Sequence, residues 1–218
     1  MIRLENIFIK TDENKNLISD VNIFIPSGSI ISITGVPGSG KTKLFQVMGL
    51  QNKSNKGNLF ILGKNINKLN RNELSDLHSE ISLVCDNNDL IDTLGVEENI
   101  IFPLILTNKS KYEIDIAVNE LVSWLNISSV LEKNTFDLSN YEKKMVQFAR
   151  AVIIRPRILL LDNFFIGLSD DYEKKISYLL LALKKIGTTI ISFRSKNNDE
   201  TLIFDENYEI KNSLLEKL

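Results

Sequence analysis

Short runs of β-branched and apolar residues, separated by Gly, Asn and Lys, fill the first part of the chain: residues 2–9, 21–25, 30–34, 59–62 and 81–85. Runs of this length between turn residues predict strands. From about residue 86 to 156 the period changes. Ile114, Ala117, Leu121 and Leu125 recur at helical spacing, and a second helical run spans 139–154, so this stretch reads as a helical insert. Residues 158–161 and 188–192 are nearly all apolar or β-branched and flank an amphipathic segment carrying Ile176, Leu179, Leu183 and Ile186 before Gly187. That order predicts a βαβ unit whose parallel strands are buried on both faces. A last pair, 202–204 and 208–210, predicts a terminal hairpin around Glu206 and Asn207. By strand alternation Phe8 reads as a core residue.

Composition changes this picture little. With 218 residues, 43% of them hydrophobic, the chain is long enough for one well-buried core or for a core with a small inserted subdomain. The 26 basic and 28 acidic residues are interspersed and leave a net charge of −2, so no long-range field favours nucleic acid or an anionic membrane. The lone Cys85 cannot form an internal disulfide, and the start MIRLENIFIK lacks the apolar core and cleavage site of a secretory signal. The most apolar run, 100–106, contains Pro103 and falls far short of the ~20 residues that cross a bilayer. A cytoplasmic protein is expected, with any membrane role exerted through a partner.

The chemistry concentrates in Gly35-Val36-Pro37-Gly38-Ser39-Gly40-Lys41-Thr42, which fits G-x-x-x-x-G-K-[ST] between a strand and a helix. Glycines let backbone N–H groups wrap phosphates, Lys41 neutralises the β and γ oxygens, and Thr42 can ligate Mg²⁺. The apolar strand 158–161 ends in Asp162, which supplies the second metal contact that phosphate-loop enzymes place beside the Thr. An N-K-x-D base-reading motif is absent: Asn52-Lys53 leads to Asn55 and Asn108-Lys109 to Lys111. The single histidine, His78, precedes the 81–85 strand in what reads as the end of a surface helix, and no chemistry is assigned to it.

Taken in order, MIRLENI, GVPGSGKT, ISLVCDNNDLIDTLGVEENIIFPL, LSNYEKKMVQFARAVIIRPRILLLDN and GTTIIS resemble an ATP-binding-cassette (ABC) ATPase, and within that superfamily the FtsE/LolD/MacB group. The resemblance covers nearly the whole chain. It implies an α/β phosphate-loop core with a mixed sheet, an antiparallel β part and an inserted helical subdomain. The chain would be a single domain, 1–218, with its core at 1–86 and 156–218 and the subdomain at about 87–155. The segment 138–156 looks like the signature loop and helix, which in the family reaches across a head-to-tail dimer to the γ-phosphate held by the other subunit. A homodimer with two shared ATP sites and bound Mg²⁺ is therefore implied.

The chain departs from the family at several chemical positions. Asn163 follows Asp162 where the family has the glutamate that polarises the attacking water, and an amide cannot accept that proton at neutral pH. Ser195 stands at the switch-histidine position. Asp86 aligns with the loop glutamine that senses Mg²⁺ and relays to the membrane subunit, and it remains able to ligate a hard cation. Thr11 occupies the position of an aromatic residue that stacks on adenine. Ser139 keeps the signature serine, which can still donate to phosphate, but Asn140 and Tyr141 replace its glycines. Ser169 replaces the D-loop aspartate, with Asp170 a substitute only after a one-residue shift.

The resemblance thus implies an FtsE-like ATP-binding subunit on the inner face of the cell membrane, docked on an FtsX-like integral membrane protein and regulating cell-wall hydrolases during division. The run 100–106 is where the family forms a groove for the partner's coupling helix, though as sequence it reads equally as a buried loop and helix start. Hydrolysis is expected to be weak or lost. The alternatives are an active transporter ATPase of the LolD/MacB type and a nucleotide-independent scaffold for the membrane partner.

Overall fold

The computed structural model describes residues 1–11, 13, 15–85, 89–105, 107, 109–195 and 202–218. Asp86, and with it the loop-glutamine position, lies outside the described residues. Two compact units emerge, Met1–Leu83 with Arg157–Leu218, and Val84–Pro156.

The first unit carries two sheets. Strands β1 (Ile2–Lys10), β2 (Asn16–Ile25), β4 (Lys56–Ile61) and β5 (Lys64–Asn65) form an antiparallel sheet in the order β2-β1-β4-β5. The other sheet is built on β3 (Ile30–Gly35), with β6 (Ile81–Val84), β7 (Ile158–Asp162), β8 (Thr189–Arg194), β9 (Glu206–Lys211) and β10 (Leu214–Lys217), in the order β10-β9-β3-β8-β7-β6. Helices α1 (Lys41–Met48), α2 (Arg71–Ser79) and α6 (Asp170–Lys185) complete this unit. His78 is exposed in the last turn of α2.

Every residue of β3, β7 and β8 is buried, which is why these strands read as unbroken apolar or β-branched strings. Strand β3 pairs in parallel with β8 and β9, and β7 in parallel with β8, so the βαβ expectation holds. Register aligns Thr34 with Arg194 and Asp162 with Phe193. The C-terminal ends of β3, β7 and β8 are therefore nearly level, and the segments that follow them converge at one edge of the sheet, where open α/β sheets bind ligands.

Three expectations change. Strand β2 begins five residues before the expected 21–25 stretch, because Asn16, Ser19 and Asp20 hide its inward Ile18. Asn6 (φ 50) and Asp20 (φ 51) are left-handed residues at irregularities in the ladder, joined by an Asn6 Nδ2 to Asp20 Oδ1 hydrogen bond of 2.8 Å. The bulge shifts the alternation, so Ile7 and Ile9 face the core and Phe8 is only half-buried. The terminal hairpin also moves: β9 joins β3, and it turns through Asn212 and Ser213 into β10, while 202–204 is no strand.

The second unit packs α3 (Val96–Ile105), α4 (Lys111–Leu125) and α5 (Asn140–Val152). The 100–106 run lies largely in α3, with Pro103 in its last turn; Ile100 and Leu104 are buried and Phe102 and Ile105 exposed. No described helix is long and apolar enough to cross a membrane. A polar knot sits in this unit. The fully buried Asn99 directs its amide nitrogen at the carbonyls of Ile91, Leu94 and Gly95. Its Oδ1 accepts from Ile91 N–H (2.9 Å) and Arg150 Nη1 (3.2 Å), and Arg150 also donates to the Asp89 carbonyl.

Candidate nucleotide site

Strand β3 ends at Gly35, where a Cβ would stand 2.6 Å from Ser39 Oγ and 3.1 Å from the Ile210 carbonyl. The loop reaches α1 through Gly40, whose φ of 101° is left-handed and whose Cβ would lie 2.8 Å from Ile18 Cγ1. Both glycines are thus required by close approach as well as by backbone conformation at Gly40. Val36, Pro37 and Gly38 form the exposed tip.

Lys41 is the first residue of α1 and is only 6% exposed. Its ammonium donates to the carbonyls of Gly35 (2.6 Å) and Val36 (3.1 Å). Burial pushes its pKa below the ordinary lysine value, and the nearby Asp162 carboxylate partly offsets that shift. Asp162, the last residue of β7, is itself buried.

An open cleft of about 350 Å³ is lined by Leu17, Pro37, Gly38, Gly40, Lys41, Thr42, Lys43, Asn163 and Ser195. Its size suits a small phosphorylated ligand. Three segments meet here: the loop after β3, Asn163 just after β7, and Ser195 just after β8. Asn163 has φ 49, a left-handed conformation that asparagine tolerates better than most residues, and its N–H donates to Phe193 O at 2.9 Å. Ile166 N–H in turn donates to the Asn163 carbonyl, which starts a turn toward α6.

The donor set fits a hard divalent cation held together with a phosphate ligand. Thr42 offers a hydroxyl and Asp162 a carboxylate, both hard oxygens, and Mg²⁺ characteristically takes one or two protein oxygens and fills the rest with phosphate and water. Among the described residues no group of three or more His, Cys, Asp or Glu side chains could hold a metal alone.

Other expected site residues are not among those that line this cleft. Thr11 follows β1 and is absorbed in a turn, its N–H donating to Lys15 O (2.8 Å) and its hydroxyl accepting from Lys15 N–H (3.2 Å); it does not line the cleft. Ser169 is the exposed residue before α6, its carbonyl accepting the Glu173 N–H, and Asp170 begins that helix. Ser139, Asn140 and Tyr141 belong to the helical unit. Ser139 caps α5 in a reciprocal box: its hydroxyl and N–H both donate to Glu142 (2.7 Å each), and Glu142 N–H donates back to its Oγ (3.2 Å). Ser139→Ala should destabilise the fold by about 1 kcal/mol in a urea titration, with Ser139→Thr, which keeps the donating hydroxyl, close to neutral.

Two cleft residues escaped the sequence reading. Leu17 is hidden in the polar start of β2. Lys43 adjoins Thr42, outside the motif's fixed positions.

The sequence model of the family described as ABC transporter matches residues 18–165. The methionine import ATP-binding protein MetN of Clostridium acetobutylicum is 30% identical over 192 residues, covering 88% of this chain and 60% of that protein. Its counterpart from Francisella tularensis subsp. holarctica is 31% identical over 195 residues, covering 88% of this chain and 56% of that one. The chain therefore spans well under two-thirds of the length of these relatives. Among solved structures, the dimeric post-hydrolysis state of an ATP-binding cassette bound to ADP and Pi superposes with a TM-score of 0.88 at 25% identity, covering 100% of this chain and 98% of that one.

Proposed function

The chain belongs to the ABC transporter family, and from that premise we propose that it is the ATP-binding subunit of a membrane complex, one that pairs with a second copy around ATP and Mg²⁺ but hydrolyses slowly or not at all. One observation carries the reading. The cleft that contains Lys41 and Thr42 is closed at β7 and β8 by an amide, Asn163, and a hydroxyl, Ser195. Neither takes a proton from water at neutral pH, and a positioned base typically contributes about 10² to 10⁴-fold to such a step. Thr42 and Asp162 would hold the metal; Ser139, Asn140 and Tyr141 would face the partner copy's phosphate in the dimer.

In its finer form the proposal keeps an FtsX-like membrane partner and a role in cell division, supported by the order and spacing of the sequence blocks. The relatives named above are methionine import proteins, and they favour a rival in which the partner is an importer's membrane subunit. Co-expression with each class of membrane protein, followed by co-purification in detergent, separates the two.

The core of the reading is tested by equilibrium binding of labelled ATP and ADP with Mg²⁺, measured together with oligomeric state. ATP-dependent dimerisation without phosphate release supports it. Steady, Mg²⁺-dependent phosphate release that Lys41→Ala abolishes would overturn it. Asn163→Glu alone should raise phosphate release by no more than about ten-fold, because Ser195 remains and glutamate at φ 49 carries a left-handed penalty of about 1 kcal/mol.

A further inference from the structure

We propose that the paired bulge at Asn6 and Asp20 is a positioning device for the cleft: it turns Ile18 against Gly40 and so fixes where α1 begins. The inference rests on the nucleotide-binding reading above and names what, outside the cleft, holds that site in shape.

Along β2 the inward residues Ile25, Ile23 and Val21 lie two apart, as strand alternation requires. Continued toward the start of the strand, that alternation would turn Ser19 and Leu17 inward and leave Ile18 on the outer face. It does not continue. Ile7 pairs with Val21 and Ile9 with Ile18, so β2 carries one residue more than β1 over this stretch, and the inward set changes parity at Asp20. Strand β1 carries the compensating extra residue at Asn6, between the pairs Leu4 with Ile23 and Ile7 with Val21. A slip of one residue moves every side chain beyond it to the other face. Side chains lock this slip in place: Asp20 Oδ1 accepts from Asn6 Nδ2 (2.8 Å) and Asn22 Nδ2 (3.0 Å), and Asn22 Oδ1 accepts the Asn6 N–H (2.9 Å). Asn6 and Asp20 both hold left-handed φ values, which Asn and Asp tolerate better than most residues.

The residue that the slip turns inward meets the entry to the helix. Ile18 is fully buried, and a Cβ on Gly40 would stand 2.8 Å from its Cγ1 and 2.9 Å from its Cδ1, so the isoleucine lies directly against the Gly40 backbone. Gly40 is the N-cap of α1 and has no side chain to hold it there; its carbonyl accepts the Leu44 N–H (2.9 Å), an opening bond of the helix. Glycine is the residue with the widest choice of φ, so its left-handed value here must be imposed from outside, and Ile18 supplies a wall that does so. Lys41 and Thr42 follow immediately and take their places from that start. Asp20 is exposed and does not itself line the cleft, so it acts on the site only through Ile18.

The test is equilibrium binding of labelled ATP with Mg²⁺ to folded variants. Ile18→Ala should weaken binding by about ten-fold, whereas Ile18→Val, which gives up only the outermost methyl group, should stay within about two-fold of wild type. Ile25→Ala, an equally buried truncation further along the same strand, should lower the urea midpoint as much as Ile18→Ala yet keep affinity within about two-fold. Asp20→Val should weaken binding as Ile18→Ala does, because a β-branched residue resists the left-handed conformation, and Asp20→Asn should behave as wild type. In nucleotide-free protein, hydrogen exchange at the Leu44 amide should be about ten-fold or more faster in Ile18→Ala than in Ile25→Ala. Wild-type affinity in Ile18→Ala or in Asp20→Val, or equal losses in Ile18→Ala and Ile25→Ala, would overturn the proposal and leave the nucleotide-binding reading standing. If the wild-type protein binds no ATP, that reading fails, and the exchange comparison decides alone whether Ile18 sets the start of α1: equal rates in the two variants would overturn it.

Discussion

Lys41→Ala should reduce Mg²⁺-ATP binding by about 10²-fold or more while leaving the protein folded. The Lys41 ammonium is buried, sits at the first residue of α1, and donates to the Gly35 and Val36 carbonyls of the loop. A triphosphate would exchange those neutral acceptors for charged ones, and charge-assisted bonds are roughly twice as strong. Stability should suffer far less than affinity, because burial already penalises this charge in the folded protein, as its lowered pKa records. The same shift has a consequence for pH. Lys41 loses its proton at a lower pH than an ordinary lysine, so binding should decline earlier on the alkaline side than a surface lysine would predict. Calorimetric titration of wild type and variant at two alkaline pH values checks both statements, and binding by the variant within ten-fold of wild type would contradict the first.

Parts of this architecture are legible in the sequence for a physical reason. Strands β3, β7 and β8 are buried on both faces, which leaves strings such as IISITG and ILLLD that few other structures produce. The phosphate loop announces itself because only glycine fits beside Ser39 and Ile18. Where one strand face is wet, the signal weakens. Strand β2 carries Asn16, Asp20 and Asn22, and the left-handed Asn6 and Asp20 put β1 and β2 out of simple alternation, which misplaced Phe8 and concealed Leu17. Pro103 masked α3, since proline inside a helix pattern ordinarily marks its end. Strand β9 reads as part of a local hairpin because nothing in 206–211 encodes a parallel partner 170 residues or more away in the chain, as Ile31 is from Glu206. Around the cleft, spacing within a motif was readable, whereas Lys43 was not, because its place depends on the rotation of α1 rather than on the motif.

Asn99→Leu should destabilise the protein by about 3 kcal/mol or more, although leucine is nearly the same size and more apolar. Asn99 is fully buried and closes several bonds at once, accepting from Ile91 N–H and Arg150 while donating to carbonyls of the 91–95 segment. Leucine answers none of them. Each buried backbone group left without a partner costs about 1 to 3 kcal/mol, and the half-satisfied Arg150 adds to that, whereas the hydrophobic gain of one side chain is about 1.5 to 3 kcal/mol at most. Arg150 sits in the last turn of α5, so the knot ties the 89–95 segment to both α3 and α5 inside the helical unit. Trp124, the chain's one tryptophan, lies in α4 of that same unit and reports its unfolding directly. Urea titration by its fluorescence should show a lower midpoint for Asn99→Leu and a smaller drop for Arg150→Ala. The double variant should lose less than the sum of the two, because Asn99 and Arg150 share a bond and each change removes it. Strict additivity would mean that the bond between them contributes nothing to the cohesion of the helical unit.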